Sequence, residues 1–342
     1  MSKKNQNVLE VFAEALKLYF SNFDKFTQYM TFPVLGQIAG LGLVFLLTYF
    51  YAKNMPILMQ KIPTLDDFSI LFVIAILISL PGLAIFVKAF WEYLVAYGAI
   101  NSMLENMLRS GKVYDFDAHT ELIKRRTMPF VGLWLLFGIF SLIALIPFFW
   151  VPCAVFAIYF VLVFQVFTYE PELSPVSCVR KSLLLVKGNF LKTFVLFALV
   201  GVLTYSLVPQ IINLFCEYTR LTLLFKNLFI PFINELPIAD LNAVLSKMYI
   251  QPLKVEDIAL FTVSTFIAQI VIQYTLPLRS ILWGLWYRKL EGSLPKQVEK
   301  KKRSTKRPSE KLMEASAKKY SSKKIDRNIL KRAMEKDDKA SE

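Results

Sequence analysis

Long uncharged apolar runs recur through about the first 290 residues, separated by short stretches rich in Lys and Arg. An α-helix rises 1.5 Å per residue and the hydrocarbon core of a bilayer is about 30 Å thick, so about twenty apolar residues make a span. Residues 30–51 meet that length, as do 68–87, whose helical pattern continues to about residue 100. Residues 128–169 carry no charge and are too long for one span. Pro147 and Pro152 at their middle predict a tight hairpin of two helices, 128–147 and 148–169. Runs at 193–216 and at 258–278, the latter continuing to 286, complete six predicted spans. Lipid offers backbone groups no hydrogen bonds, so each span must be helical and the predicted class is all-α. Pro81-Gly82 and Pro277 predict kinks.

The stretches ahead of the first, third and fifth spans are patterned too. Val8, Phe12, Leu16, Tyr19 and Phe23 fall on one helical face, as do Val176, Val179, Leu183, Val186 and Phe190. Ser174-Pro175 supplies a cap and a first-turn proline for the second of these helices. The two overlay directly: Leu16-Lys17-Leu18 on Leu183-Leu184-Leu185, and Ser21-Asn22-Phe23 on Gly188-Asn189-Phe190. The stretch 121–130 fits the same frame more loosely. An interfacial helix feeding a helical hairpin, used three times, produces this pattern. Three amphipathic helices without common origin produce it as well. Between spans five and six, residues 221–232 are too short to span and carry Lys226. They are expected in the outer interface, as a partial re-entrant segment, or as a cap made by Phe225, Phe229, Phe232 and Ile233.

Composition agrees with a lipid-solvated body. The chain is 55% hydrophobic and only 19% charged, against about 25% charged in soluble domains. Residues 1–7 are polar and the next twenty are amphipathic, so no cleavable signal peptide is expected. The formal net charge is +14; from Gly292 onward seventeen Lys/Arg face eight Asp/Glu, a net +9, which leaves +5 for the body. Residues 1–291 are therefore read as a six-helix membrane domain and 292–342 as a basic, disordered tail that cannot bury a core. Lys and Arg concentrate at the N-terminus, in 101–127, in 170–192 and in the tail, which places both ends in the cytoplasm.

Two polyanions suit these charges. Arg180, Lys181 and Lys187, with Lys300, Lys301, Lys302, Arg303, Lys306 and Arg307 in the tail, are candidate contacts for anionic lipid headgroups. Each basic residue near such a surface is worth about 1 kcal/mol. RNA or a ribosome, neutralised through its phosphates, is the other. Tyr320 is the lone aromatic of the tail, which argues against sequence-specific single-strand recognition.

Catalytic chemistry has little to work with. Cys153, Cys178 and Cys216 show no CxxC spacing and read as small buried apolar residues. Asp115 and Asp117 stand near the single histidine, His119, and solvated loop charges account for them. No enzyme, metal or cofactor is expected. The six runs contain no ionisable residue; Lys88 and Glu92, four apart beyond span two, share a helix face and have the spacing of a pair, Arg279 lies similarly beyond span six, and snorkelling or headgroup contact at a helix end is the reading favoured for them. Gln269 and Gln273, on a mild polar stripe with Ser264 and Thr265, complete the candidate interior polar set with Lys88 and Glu92. Gly36 and Gly40 form a small-xxx-small pair suited to close helix packing.

Glu170, then Cys178-Val179-Arg180-Lys181-Ser182, then Lys187-Gly188-Asn189-Phe190 form one extended pattern. An acidic residue leaves the fourth span, a short helix reads small-apolar-x-basic-Ser, and basic-Gly-Asn-aromatic follows. This stretch resembles a family of bacterial membrane proteins that includes the membrane domain fused to some glycerophosphoryl diester phosphodiesterases and related six-span proteins. Cys178 and Lys181 stand where those proteins more often have Ala and Arg. The resemblance implies architecture and a bacterial cytoplasmic membrane, and no activity for the membrane part. The expected function is a non-enzymatic protein that interacts with or organises the bilayer. A small-molecule or lipid transporter and a ribosome-tethered biogenesis factor are the alternatives.

Overall fold

The structure, a computed structural model, describes residues 7–61, 68–113 and 115–292. The tail residues Lys300, Lys301, Lys302, Arg303, Lys306 and Arg307 lie outside the described residues. Within them every regular element is helical: α1 Val8–Phe20, α2 Phe23–Lys61, α3 Phe68–Ser110, α4 Phe116–Lys124, α5 Thr127–Ile143, α6 Trp150–Phe160, α7 Val163–Tyr169, α8 Pro175–Lys187, α9 Phe190–Gly201, α10 Val208–Tyr218, α11 Leu221–Ile233, α12 Ile238–Lys247, α13 Val255–Tyr274 and α14 Leu276–Glu291.

Five helical stretches are long and apolar enough to cross a membrane: Phe23–Ile57, Ile70–Ser110, Pro147–Tyr169, Phe190–Tyr218 and Val255–Tyr274. Two bent pairs raise the number to seven if each is one span: α4 with α5, bent 78°, and α11 with α12, bent 89°. The 78° bend makes α4 a separate short helix, and the 17 residues of α5 reach about 25 Å alone. Large apolar side chains such as Leu135, Ile139, Leu142, Phe148 and Val151 are left uncovered by protein. A water-soluble monomer does not carry such a surface; lipid covers it. The expected hairpin is present: α5 ends at Ile143, a short 3-10 turn covers Pro147–Phe149, and α6 follows with Pro152 in its first turn.

The prolines act as their chemistry requires. Pro209 cannot donate an N–H, and its ring crowds the carbonyl four residues back; the preceding turn widens to a π-helix over Val202–Leu207. Pro277 sits at the second position of α14, so the sixth run breaks at Thr275. The carbonyls freed there are met by side chains: Ile272 O accepts from Thr275 Oγ1 and Arg279, and Tyr274 O from Tyr19 Oη. Pro81 lies inside α3, which continues through it.

α2 and α3 pack backbone to backbone. A Cβ built on Gly40 would stand 2.5 Å from Phe86 N, and one on Gly82 would stand 2.7 Å from Gly40 O. Gly36 faces Ala89 at 2.8 Å in the same way, so the small-residue pair meets α3. With 39 and 43 residues, α2 and α3 run to about 58 and 64 Å. That exceeds the hydrocarbon core even at strong tilt, so they continue past it.

Beyond the apolar zone α14 becomes the centre of the molecule. It packs on α1, α3, α7 and α8 and buries twelve residues, among them Leu282, Trp286, Tyr287 and Leu290. Lys289 Nζ lies 3.4 Å from Glu10 Oε2, so both ends of the described chain share one face. α1, α4 and α8 each reach the following long helix through two residues: Ser21-Asn22, Arg125-Arg126 and Gly188-Asn189. Asn22 is buried and ties its joint to the end of α3, donating to Gly111 O and accepting from Val113 N.

The expected faces of these short helices pack on the core, with Tyr19 and Val186 buried and Val8, Phe12, Leu16, Val179 and Phe190 half-buried, but the most deeply buried positions lie beside them. α1 buries Val11, Ala15, Leu18 and Tyr19, while Phe23 is uncovered; α8 buries Cys178, Ser182, Leu185 and Val186, while Val176 is uncovered. The reason is packing distance: Ala15 and Ser182 are small and let neighbouring helices approach, whereas the expected stripes were drawn through the largest side chains. In the register that overlays Leu16–Leu18 on Leu183–Leu185, the two buried sets coincide position by position. α11 packs on α13 and α10, with Phe232 against Phe45 at 5.2 Å and Phe229 against Phe266 at 6.5 Å; Phe225 is uncovered.

Gly40→Val places a branched side chain against backbone that no rotamer change relieves. The variant is expected to lose at least about 1–3 kcal/mol of stability, measured by thermal unfolding in detergent. Gly42→Val, on the open side of α2, is expected to change it little.

Candidate functional site

α3 and α5 leave an open cleft of about 470 Å³ between them, inside the range of about 300–1,000 Å³ typical of ligand sites. Phe90, Trp91 and Leu94 line one wall and Trp134, Leu135 and Gly138 the other. Rings fix the floor: Trp134 stacks obliquely on Phe164 at 4.6 Å, and Trp91 meets Phe130 edge-on at 6.2 Å. The indole Nε1 of Trp134 is buried without a hydrogen-bond partner. A cleft so apolar accepts hydrocarbon.

Next to the cleft, α3, α7 and α14 enclose a polar knot. Gln165 Nε2 donates to Tyr97 Oη at 3.2 Å and to Asn101 Oδ1 at 3.3 Å, and Ser280 Oγ donates to Asn101 Oδ1 at 2.8 Å. Asn101, Gln165 and Ser280 are fully buried, yet Asn101 Nδ2 and Gln165 Oε1 have no partner. Swapping both amides only exchanges which group is the orphan donor and which the orphan acceptor.

Arg279 stands at the α13–α14 joint. Its guanidinium donates to Tyr205 Oη, to Tyr93 Oη at 3.5 Å and to Ile272 O at 3.0 Å, and lies 5.0 Å from the centre of the Tyr205 ring. Nε is buried without a partner. Among the described residues no carboxylate pairs with Arg279.

The expected polar residues are dispersed. Gln273 accepts from Gln37 Nε2 at 3.2 Å, but Gln269 is on the uncovered side of α13. The two glutamines share a helix face by spacing but are one turn apart, and only Gln273 is at the level of Gln37. Lys88 does not pair with Glu92: it lies 5.4 Å from the Phe32 ring, and Glu92 binds Lys124 of α4 at 3.3 Å. The packing of α4 along α3 brings Lys124 to Glu92 first. Arg180 and Lys187 are exposed and open to a polyanion. Lys181 is not: it pairs with Glu170, which also accepts from Tyr287 Oη at 2.8 Å, and lies 3.8 Å from Glu291.

His119 is also placed differently from the solvated-loop reading. It sits on α4, half-buried, with Nδ1 2.6 Å from Ser102 Oγ and Nε2 3.3 Å from Asn106 Nδ2. Ser102 Oγ donates onward to Ala99 O. This circuit closes with Nδ1 protonated and Nε2 accepting. Burial holds the imidazole below its ordinary value, with Asp115 opposing. Asp115 itself caps α4, accepting from Ala118 N. Among the described residues no three His, Cys, Asp or Glu side chains are grouped to hold a metal ion. Burial pushes the Cys178 thiol up to about 11, so it packs as an apolar group.

Arg279, Tyr93, Asn101 and Tyr205 were not picked out by sequence pattern as a unit. Arg279 beside Pro277 was the available signal: a cation one turn past a forced helix break has free carbonyls to meet. No family model, curated protein or solved structure matches the chain.

Lys181→Met takes the cation from the half-buried Glu170, which keeps its bond from Tyr287 Oη, and is expected to cost about 1–3 kcal/mol, read by thermal unfolding; adding Glu170→Gln should recover part of it. Because His119 titrates below its ordinary 6.5 in the fold, the unfolded chain binds the proton first. Its contribution is full above about pH 6.5 and is lost as pH falls through the folded value. His119→Gln is expected to flatten that acid limb.

Proposed function

We propose that this is a non-enzymatic integral membrane protein that binds and organises bilayer lipid, with the α3–α5 cleft taking an acyl chain. The observation that carries the reading is the cleft itself: open, apolar, about 470 Å³, and set among uncovered apolar helix faces. The same reading counts six spans, with α5 a full member and α11–α12 held at the outer surface. The Lys/Arg bias supports both ends in the cytoplasm, and the resemblance of 170–190 supports a bacterial cytoplasmic membrane. The matching buried sets of α1 and α8, each two residues before a long helix, support a repeated unit of short helix plus hairpin. The resemblance of 170–190 to phosphodiesterase-linked membrane domains adds architecture to this reading. Arg180 and Lys187, exposed on α8, supply contacts for anionic headgroups.

A second reading, transport of a small polar solute, draws on the orphaned donor and acceptor of Asn101 and Gln165. It requires a solute-dependent flux in proteoliposomes that Asn101→Leu abolishes.

Gly138 tests the lipid reading. A Cβ there meets nothing within 4 Å, so Gly138→Phe fills the cleft without straining the fold. Lipid retained through purification, measured by native mass spectrometry, is expected to fall about tenfold or more at unchanged melting temperature. Equal retention in both proteins removes the cleft as the site.

A further inference from the structure

We infer that Arg279, Tyr93 and Tyr205 form a binding site for a phosphate group, carried by a membrane phospholipid or free in solution. The inference rests on the lipid reading of the adjacent cleft. Its starting point is charge: Arg279 lies at the joint between a membrane-spanning helix and the buried helix α14, and among the described residues no carboxylate neutralises it. A cation held near lipid with no counter-charge is costly and calls for an anion.

The hydrogen bonds give the anion its place. Tyr93 Oη and Tyr205 Oη each accept from the guanidinium. Each phenol therefore keeps its own O–H to donate, and both O–H groups are polarised by the cation behind them. Tyr205 is 56% uncovered by protein, so the acceptor it faces comes from outside the chain. The two non-bridging oxygens of a phosphodiester suit two phenol donors in front of one guanidinium.

The cleft lies alongside. Tyr93 lies between Glu92, which is taken by Lys124, and Leu94 on α3, with Phe90 one turn back; Phe90, Trp91 and Leu94 line the cleft. Tyr97, one turn on, lies 6.5 Å from Trp134 on the opposite wall. On a helix, residues three and four apart share a face. Tyr93 and Tyr97 therefore lie on one side of α3 and the cleft residues on the next, so the cation site and the hydrocarbon site sit at the same level on neighbouring faces of α3, a span that one phospholipid molecule can bridge.

Arg279 also has a structural task, since it donates to Ile272 O at the broken end of α13. The test separates the two roles. Full-length protein in neutral detergent is titrated with phosphatidylglycerol and with the diacylglycerol of the same chains, read by native mass spectrometry, and phosphatidylglycerol is competed with inorganic phosphate. The wild type is expected to prefer phosphatidylglycerol about tenfold or more. Arg279→Gln should erase that preference while leaving diacylglycerol binding in place. Tyr93→Phe/Tyr205→Phe keeps the guanidinium and its bond to Ile272 O, so it decides the matter if Arg279→Gln unfolds; it should lower the preference about threefold or more. Competition by inorganic phosphate assigns the site to free phosphate, and absence of competition to the lipid headgroup. A preference unchanged in both variants overturns the inference and leaves Arg279 as a helix cap. Equal binding of the two lipids by the wild type also overturns it while sparing the cleft; binding of neither removes the cleft reading itself.

Discussion

α14 is buried on nearly every side although its sequence carries serine, arginine, tyrosine and two tryptophans. Every polar group on such a helix must find a partner where it lands, and those partners sit on different elements. Ser280 reaches Asn101 of α3, Trp286 Nε1 reaches Thr193 of α9, and Tyr287 reaches Glu170 at the end of α7. Glu170 in turn binds Lys181 of α8. One helix therefore sets the depth and rotation of its neighbours, and Gly284, whose Cβ would come within 2.5 Å of Leu104, sets how near α3 can lie. The break at Pro277 makes this possible by ending the apolar span and releasing α14 into the polar end of the molecule.

Around that centre the lengths of α2 and α3 matter. They are joined by glycine contacts through the apolar zone and continue beyond it, so the same two helices serve lipid at one level and protein at another. The apolar stripes of α1 and α8 are spent in the protein core, which leaves their charged sides for the surface. α5 stands apart from α3, and the cleft is the consequence. Its walls are rigid aromatic residues rather than flexible ones, so it is held open by ring packing with α7.

Much of the frame was legible in sequence because membrane helices obey a length rule. The Pro147–Pro152 hairpin and the close contact at Gly36 and Gly40 follow from local chemistry. Rotation of a helix was not legible in the same way. The stripe on α1 does pack at Val8, Phe12, Leu16 and Tyr19, but the fold buries Ala15 beside it most deeply, because near approach favours the small side chain. Partner choice was hidden for a similar reason. Lys88 and Glu92 satisfy a spacing rule, yet Glu92 takes Lys124, a residue 32 positions away that only tertiary packing brings near. Lys181 looked like a surface charge until Glu170 and Glu291 closed on it. Gln269 and Gln273 share a helix face by spacing, yet Gln37 of α2 meets only Gln273 and Gln269 is left uncovered.

The central claim is that the cleft between α3 and α5 is a lipid site that ends at a cation. Electron cryomicroscopy of the full chain in an anionic lipid nanodisc tests it most directly. The account requires elongated density between Phe90, Leu94 and Trp134, with its polar end at Arg279. A map in which α5 closes onto α3, Trp134 fills the gap and no density remains would contradict it.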